Sequence, residues 1–422
     1  MTDYISHIAA LLEQETPVIF YTVGSVTFGY IRELKNRFGK KPTAVCDGDL
    51  RKQGKTFRGL DDIQVISPQE AIERFPNGQF FICSLDYRYQ IIGYLTESCG
   101  MAPERIINYV PVKKVRSCML LQKALIYDKN GDLRFYWQPS YPFIPSSDPI
   151  DASAFLQLRN SLLQNIENGT ATNTPCDGCS RVQEDYYPVK PLSWSINYFC
   201  HGICNYKCSY CTLRNHVEME QQQGNHSLKD LIQTFQNTGL LGEDYGVCLS
   251  TAGEPSIHPD RKEFYQAANG TELIVNTNGF VFDEDLYETM NQKKVLLICS
   301  VDCGTSETYH KIKGVDGFAR MKQNLSHYAQ APFGIVALKY IFVPGLNDTL
   351  EDVDGFIKLC VEVNTTFVLV AMDYFSVNEI SEHTRNMITH LNQKLLDFNI
   401  LCIPYTGYET AEYGNMMREL LK

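Results

Sequence analysis

The stretch that decides the fold runs from residue 193 to residue 211, SWSINYFCHGICNYKCSYC. Its first part, SWSINYF (193–199), is apolar and alternating and predicts a strand. Its second part sets Cys204, Cys208 and Cys211 on the following loop, spaced CxxxCxxC. Three thiolates on one short loop suit three irons of a cubane cluster and leave the fourth iron without a protein ligand. An open iron is a place where a substrate or cofactor coordinates directly, whereas a closed electron-transfer cluster wants a fourth cysteine. Zinc loops usually pair two CxxC units at a distance. Here Cys176–Cys179 with Cys208–Cys211 is the pairing that would make such a site instead.

Downstream the strand signal repeats, in GVCLST (246–251), ELIVNTN (272–278), VLLICSVD (295–302), GIVALKYIFV (334–343) and TFVLVAMDYF (366–375). Amphipathic stretches such as HSLKDLIQTFQNTG and SEHTRNMITHLNQKLLDF fill gaps between them, and ILCIPYTGY (400–408) is a late candidate strand. Roughly six strand–helix units predict a partial parallel (β/α)6 barrel of the TIM type over residues 193–422. The active site then lies at the C-terminal strand ends. Upstream, residues 1–115 read as a separate small α/β unit. PVIFYTVG (17–24), KPTAVCDGD (41–49), QVIS, QFFICSLD (79–86) and ERIINYV (104–110) alternate with helical stretches. Residues 116–192 read as a connector, with a Pro- and Ser-rich tract at 136–151, a helical piece AFLQLRNSLLQNIENG and the loop TPCDGCSRVQ.

Length and composition agree with this division. The chain has 422 residues, 44% hydrophobic and 21% charged, which fits a globular protein of more than one unit. A net charge of −11 without a basic run disfavours a nucleic-acid partner, because phosphate neutralisation supplies much of that affinity. The start, MTDYISHIAALLEQETPVIFYT, lacks the layout of a signal peptide, and no apolar run reaches the ~20 residues of a membrane helix. A cytoplasmic location without membrane contact is expected. Of the 15 cysteines, Cys176, Cys179, Cys200, Cys204, Cys208 and Cys211 crowd into one short stretch, so the chemistry is expected there.

From about Trp194 to Phe375 the chain resembles the radical S-adenosylmethionine superfamily, with the cysteine triplet opening just after the first strand. Tyr210 matches the aromatic that the family sets before the last cysteine, near the adenine. Ala252-Gly253-Glu254-Pro255 resembles the GGEP-like motif that holds the amino group of the methionine moiety, with alanine for its first glycine. Ser300-Val-Asp302, continued by Gly304-Thr-Ser-Glu-Thr-Tyr-His-Lys-Ile, resembles the run that the family sets beside the ribose hydroxyls. Asn276 and Asn278 end the third strand at the same mouth. Val343-Pro344-Gly345, followed by Asn347-Asp348, resembles the fifth-strand segment that passes the adenine. A tight turn accounts for several of these motifs one at a time; their order along the strand ends does not follow from turns. The resemblance implies a [4Fe–4S] cluster on Cys204, Cys208 and Cys211, bound S-adenosylmethionine, and an external one-electron reductant of the flavodoxin or ferredoxin kind. It also implies hydrogen abstraction by a 5′-deoxyadenosyl radical. Rim residues such as Lys339, Tyr340, Asp373 and Tyr374 read as ordinary polar groups.

Cys176-Asp-Gly-Cys179 resembles the cysteine pair in the auxiliary-cluster tails of some members, there placed after the barrel rather than before it. A second iron–sulfur cluster, a zinc clip and a redox thiol pair all fit it. In the front unit, Gly24 and Asp47 loosely echo a dinucleotide fold, although TVGSVTFGY is not GxGxxG. The run VCDGDLRKQGKTFRGL…VISPQEA resembles small Rossmann-like units fused to sugar-modifying and methyl-transferring enzymes. The expected function is radical chemistry on a small molecule, sugar- or nucleotide-linked. A peptide or protein substrate is the alternative suggested by the CDGC element, and an iron–sulfur or zinc protein without turnover is a third.

Overall fold

The apolar run after Pro17 forms β1 (Val18–Tyr21), and the chain returns to the same sheet as β2 (Ala44–Cys46), β3 (Val65–Ile66) and β4 (Gln79–Ile82). The pairings are parallel, in the order β3–β2–β1–β4. The computed structural model describes residues 3–128, 130–136, 141–171, 174, 176–200, 204–211, 226–251, 253–268, 272–373, 380–405 and 411–421. The run ERIINYV, expected as a further strand, is not one. A 3-10 turn at Pro103–Arg105 leads into a single bridge between Ile106 and Phe80. The Asn108 side chain then accepts from the Ile82 N–H at 3.0 Å and donates to the Ile82 carbonyl at 2.9 Å. A side-chain amide thus satisfies the β4 edge that a backbone strand would have used.

Next, β5 (Val112–Cys118) waits for an antiparallel partner, while β6 (Ala124–Tyr127), β7 (Leu133–Arg134) and β8 (Phe143–Ile144) go elsewhere. That partner is β9 (Val182–Pro188). The stretch read as a connector therefore contributes strands. β6 pairs parallel with β10 (Ser193–Cys200), and β7 and β8 extend this edge antiparallel. The series continues through β11 (Leu241–Thr251), β12 (Glu272–Thr277), β13 (Val295–Ser300), β14 (Gly334–Phe342), β15 (Phe367–Met372) and β16 (Leu401–Pro404). The sheet order is β16–β15–β14–β13–β12–β11–β10–β6–β7–β8, open among the described residues. The six expected strands form the middle of a longer sheet, because the short apolar runs ALIY (124–127) and LCIP (401–404) pair at either side of them.

Five of the helices that connect these strands are started by a capping side chain, whereas Arg261–Ala267 and Phe318–Tyr328 are not. Ser227, Asp283, Thr305, Thr349 and Ser381 accept from the N–H of Asp230, Leu286, Thr308, Asp352 and Thr384. Such caps satisfy helix N–H groups that have no intrahelical partner. Strand alternation then gives the sheet two faces. On β13, Val295, Leu297 and Cys299 pack among the helices with Met290, Met321 and Tyr328. Leu296 and Ile298 point the other way, into a core shared with Ile5, Phe20, Phe28 and Leu34 of the front unit. Burying each such side chain contributes roughly 1.5–3 kcal/mol.

The front unit therefore covers the helix-free face near the N-terminal strand ends. The Lys294 ammonium sits 3.6 Å from the Tyr30 ring centroid, and Arg58 N–H donates to the Asn399 carbonyl at 2.9 Å. Ile403 and Tyr405, at and just past the C-terminal end of β16, pack against the same core. Among the described residues no helix is long and apolar enough to cross a membrane.

Candidate active site

Cys204, Cys208 and Cys211 lie on the loop beyond β10, with Cys204 exposed and the others partly so. The loop docks on the end of the helix Ser306–Lys313. Lys207 N–H donates to the Lys313 carbonyl at 3.1 Å and Ser209 N–H to the Ile312 carbonyl at 2.7 Å. Carbonyls in a last helical turn lack intrahelical donors, so the loop meets acceptors that are ready for it. The Tyr206 and Tyr309 hydroxyls meet at 2.6 Å. Gly314 ends the helix at φ +72°, and a Cβ there would stand 3.1 Å from the Lys207 carbonyl oxygen. Glycine supplies both the left-handed turn and the close approach.

Beneath the loop lies a buried polar cluster. Asp302, at φ +63° where the chain leaves β13, pairs with the Lys313 ammonium, and both side chains are almost wholly buried. The Lys313 ammonium also donates to the Tyr210 hydroxyl at 2.8 Å, and that hydroxyl donates to the same Asp302 oxygen. The other Asp302 oxygen accepts from Ile341 N–H at 2.7 Å. Burial works to lower the Lys313 pKa, but Asp302, Tyr210 and Cys208 together outweigh it and carry the group well above the ordinary lysine range. Burial raises the Cys208 thiol, and nearby Lys313 pulls it back. The carboxylate that the resemblance sets beside the ribose is thus committed to protein donors.

A second chain of contacts fixes the loop from the other side. Glu254 is buried, and one of its oxygens accepts from the Ser256 hydroxyl at 2.7 Å and the Thr277 hydroxyl at 2.6 Å. The other accepts from Asn278 N–H at 2.7 Å. The Asn278 amide donates in turn to the Asn205 side chain at 2.7 Å, one residue after Cys204. Burial raises the Glu254 carboxyl above its ordinary value against the pull of these donors. Gly253 precedes this carboxylate and the buried Pro255 follows it, opening a 3-10 turn; Ala252 lies outside the described residues.

The exit from β14 is closed on itself. Asn347 is fully buried, accepts from Val343 N–H at 2.7 Å and donates to the Asp302 carbonyl at 2.6 Å. Gly345 adopts φ +76°, and its N–H donates to Asp348 at 2.7 Å. Asn276 and Ser300 lie on the helix-free face, as does Lys339, which the sequence reading left among ordinary rim groups. Asp373 is buried, and Tyr374 lies outside the described residues.

The second pair acquires a neighbour that the sequence did not single out. Cys118, at the end of β5, lines one pocket with Cys176, Cys179, Tyr141 and Arg181. The Tyr141 hydroxyl stands 3.3 Å from the Cys179 sulfur. Burial, with the nearby Cys118 and Cys179 thiols, pushes Cys176 up to about 11. This pocket is at the N-terminal side of β10, opposite the CxxxCxxC loop.

Among the described residues, no group of three or more His, Cys, Asp and Glu side chains is placed to hold a metal ion. A cubane takes one thiolate per iron, so its ligands need not converge on a point. Three thiols on a docked loop suit that donor set. Sequence reading missed Lys313, Asn205 and the carboxylate role of Glu254. The one available signal was Lys313-Gly314, a basic residue and a glycine closing the helix that follows Asp302.

Residues 198–360 match the family model described as the Radical SAM superfamily. GTP 3′,8-cyclase of Psychromonas ingrahamii is 24% identical over 162 residues, covering 37% of this chain and 46% of that protein. GTPase Obg of Brachyspira hyodysenteriae is 25% identical over 177 residues, covering 40% of this chain and 26% of that protein. The chain thus spans less than half the length of these two curated relatives. Streptococcus suis SuiB bound to S-adenosylmethionine superposes with a TM-score of 0.41 at 14% identity, covering 62% of this chain and 57% of that one.

Proposed function

Because residues 198–360 form a radical SAM domain, we propose that this chain reductively cleaves S-adenosylmethionine and abstracts hydrogen from a small-molecule substrate. Cys204, Cys208 and Cys211 would hold a [4Fe–4S] cluster, which when bound would supply the one electron needed for reductive cleavage of the C5′–S bond and so for the 5′-deoxyadenosyl radical that abstracts hydrogen. The electron comes from an external one-electron donor of the flavodoxin or ferredoxin kind. In this reading the open parallel sheet is a partial TIM-type barrel, and the front unit is Rossmann-like.

The chain's own groups bind and orient. Gly253 to Pro255 and Asn278 present the turn beside the cysteine loop, and by the resemblance Val343 to Gly345 would pass the adenine. Tyr210 precedes the last cysteine in the chain, with its hydroxyl turned inward to Asp302 and Lys313. For Asp302 we propose positioning of the loop in place of a ribose contact, since Lys313, Tyr210 and Ile341 take both its oxygens. The observation that carries the reading is the docking of the CxxxCxxC loop, at a parallel strand end, onto the helix after Asp302.

A small substrate is favoured because the front unit closes the lower part of the helix-free face. That unit is read as structural, since Asp47 engages Val23 N–H at 2.7 Å and the Lys52 ammonium at 2.9 Å. Cys176 and Cys179, joined by Cys118, are the candidates for a second thiolate site, either an auxiliary cluster or zinc.

The test compares wild type with the Cys204, Cys208 and Cys211 triple alanine variant after anaerobic reconstitution. Iron, sulfide, EPR and 5′-deoxyadenosine are measured. Wild type should hold a cluster and make 5′-deoxyadenosine, and the variant should make none. Iron retained by the variant assigns a second site to the other cysteines. A wild type that holds no cluster and cleaves nothing refutes the reading.

A further inference from the structure

Away from the cysteine loop, a recess of about 310 Å³ opens where the front unit meets the edge of the main sheet. Arg51, Lys52 and Lys55, just beyond β2, line it on the front-unit side. Asn392 of the helix Glu382–Asp397 lines it on the sheet side, with Leu401 of β16 and Leu421.

Two of the three cations are held in place by the protein. The Arg51 guanidinium donates through Nε to Asp49 at 2.8 Å, and to the Arg418 and Leu421 carbonyls at 3.1 and 3.3 Å. The Lys52 ammonium donates to Asp47 and to the Val23 carbonyl, each at 2.9 Å. The exposed Lys55 ammonium makes no hydrogen bond or ion pair among the described residues. Three cations therefore stand against two carboxylates, and the one left over is Lys55.

Asn392 is 3% exposed, and among the described residues its amide makes no hydrogen bond. Its helix neighbours Leu391 and Leu395 are fully buried in the core. Burying an amide costs free energy unless a partner satisfies it, and a leucine would sit here without that cost. The amide lines the same recess as an uncompensated ammonium. An oxyanion is the ligand that accepts from both.

The recess also adjoins the last helix. Arg51 ties the front unit to the C-terminal end of the helix Ala411–Leu420. Nearer the other end of that helix, the Tyr413 hydroxyl accepts from Met372 N–H at 2.7 Å, where β15 reaches the active-site end of the sheet.

We propose that the recess is an oxyanion site, which takes the phosphate or carboxylate group of a small molecule between the Lys55 ammonium and the Asn392 amide and so braces the helix Ala411–Leu420 against the front unit. The site is separate from the cysteine loop and does not rest on the radical reading.

The test uses the full chain as wild type, Lys55→Gln, Lys55→Arg and Asn392→Leu, with circular dichroism as the check on folding. Calorimetry measures the binding of inorganic phosphate and, separately, of malonate. Wild type should bind at one site, and the anion that binds more tightly assigns the group to phosphate or carboxylate. Lys55→Gln should lose about tenfold or more of that affinity, and Lys55→Arg should keep most of it. Asn392→Leu should also bind more weakly, while its denaturant midpoint without anion stays at or above that of wild type. Hydrogen exchange across residues 411–421 should slow when the anion is added to wild type but not to Lys55→Gln. A wild type that binds neither anion overturns the site, as does a Lys55→Gln variant that binds as wild type does. Exchange that the bound anion leaves unchanged in wild type overturns the bracing of the helix. If Asn392→Leu fails to fold, the exposed Lys55 variants still decide. These readouts need no iron–sulfur cluster, so failure here is distinct from failure of the radical reading.

Discussion

Lys313 and Asp302 form an ion pair whose side chains are 1% and 0% exposed, directly under the loop that carries Cys208 and Cys211. Removing one member of a buried pair leaves an uncompensated charge and costs about 3–5 kcal/mol. Lys313→Met is therefore expected to lower stability by about that amount and to incorporate less iron, because Tyr210 loses its donor. The double variant Lys313→Met/Asp302→Asn should recover much of the stability but not the iron. Anaerobic urea denaturation with iron analysis checks both. A double variant that recovers both shows that the pair does not hold the loop.

Tyr210→Phe separates the ring from its hydroxyl. The hydroxyl accepts from Lys313 and donates to Asp302, so its loss should cost about 1–3 kcal/mol. The ring stays, and 5′-deoxyadenosine formation should remain within a few-fold of wild type, whereas Tyr210→Ala should lose iron. Equal iron loss in both variants would move the role from the ring to the hydroxyl.

The strands of the main sheet were legible because each is a short apolar run between turn signals, and the cysteine loop was legible from spacing alone. ERIINYV misled because it has strand composition, while the Asn108 side chain takes the β4 edge in its place. ALIY was passed over because four residues carry too little periodicity, and its strand exists through pairing with β10. Asp302 was found by motif, but its partners were not, since Lys313 lies a helix away and Ile341 on the next strand.

Gly304 shows a motif glycine with a packing cause. A Cβ there would stand 2.0 Å from the Asp352 carbonyl oxygen and 2.4 Å from the Phe356 nitrogen, both on the helix Leu350–Glu362. Backbone does not yield as a flexible side chain does, so Gly304→Ala should cost at least the roughly 1–3 kcal/mol of an overpacked core. Denaturant midpoints of the two proteins measure this. An unshifted midpoint would mean that the helix moves aside freely.

Glu254 gives a prediction in pH. Its carboxyl is held above the ordinary value of 4.5 by burial, so between that value and its raised folded value the folded chain binds more protons than the unfolded one. Stability falls with pH wherever this is so. The contribution is fully present below pH 4.5 and is lost as pH rises through the folded value. Glu254→Gln has no such proton. It also sets an amide where Asn278 N–H needs an acceptor, a cost of about 1–3 kcal/mol at any pH. The stability difference between wild type and variant should therefore favour wild type most at low pH, shrink as pH rises through the folded value, and level off above it. Urea denaturation of both proteins across this range measures the curve. A difference independent of pH would show that the Glu254 proton is not linked to folding, and that its hydrogen bonds to Ser256, Thr277 and Asn278 offset its burial.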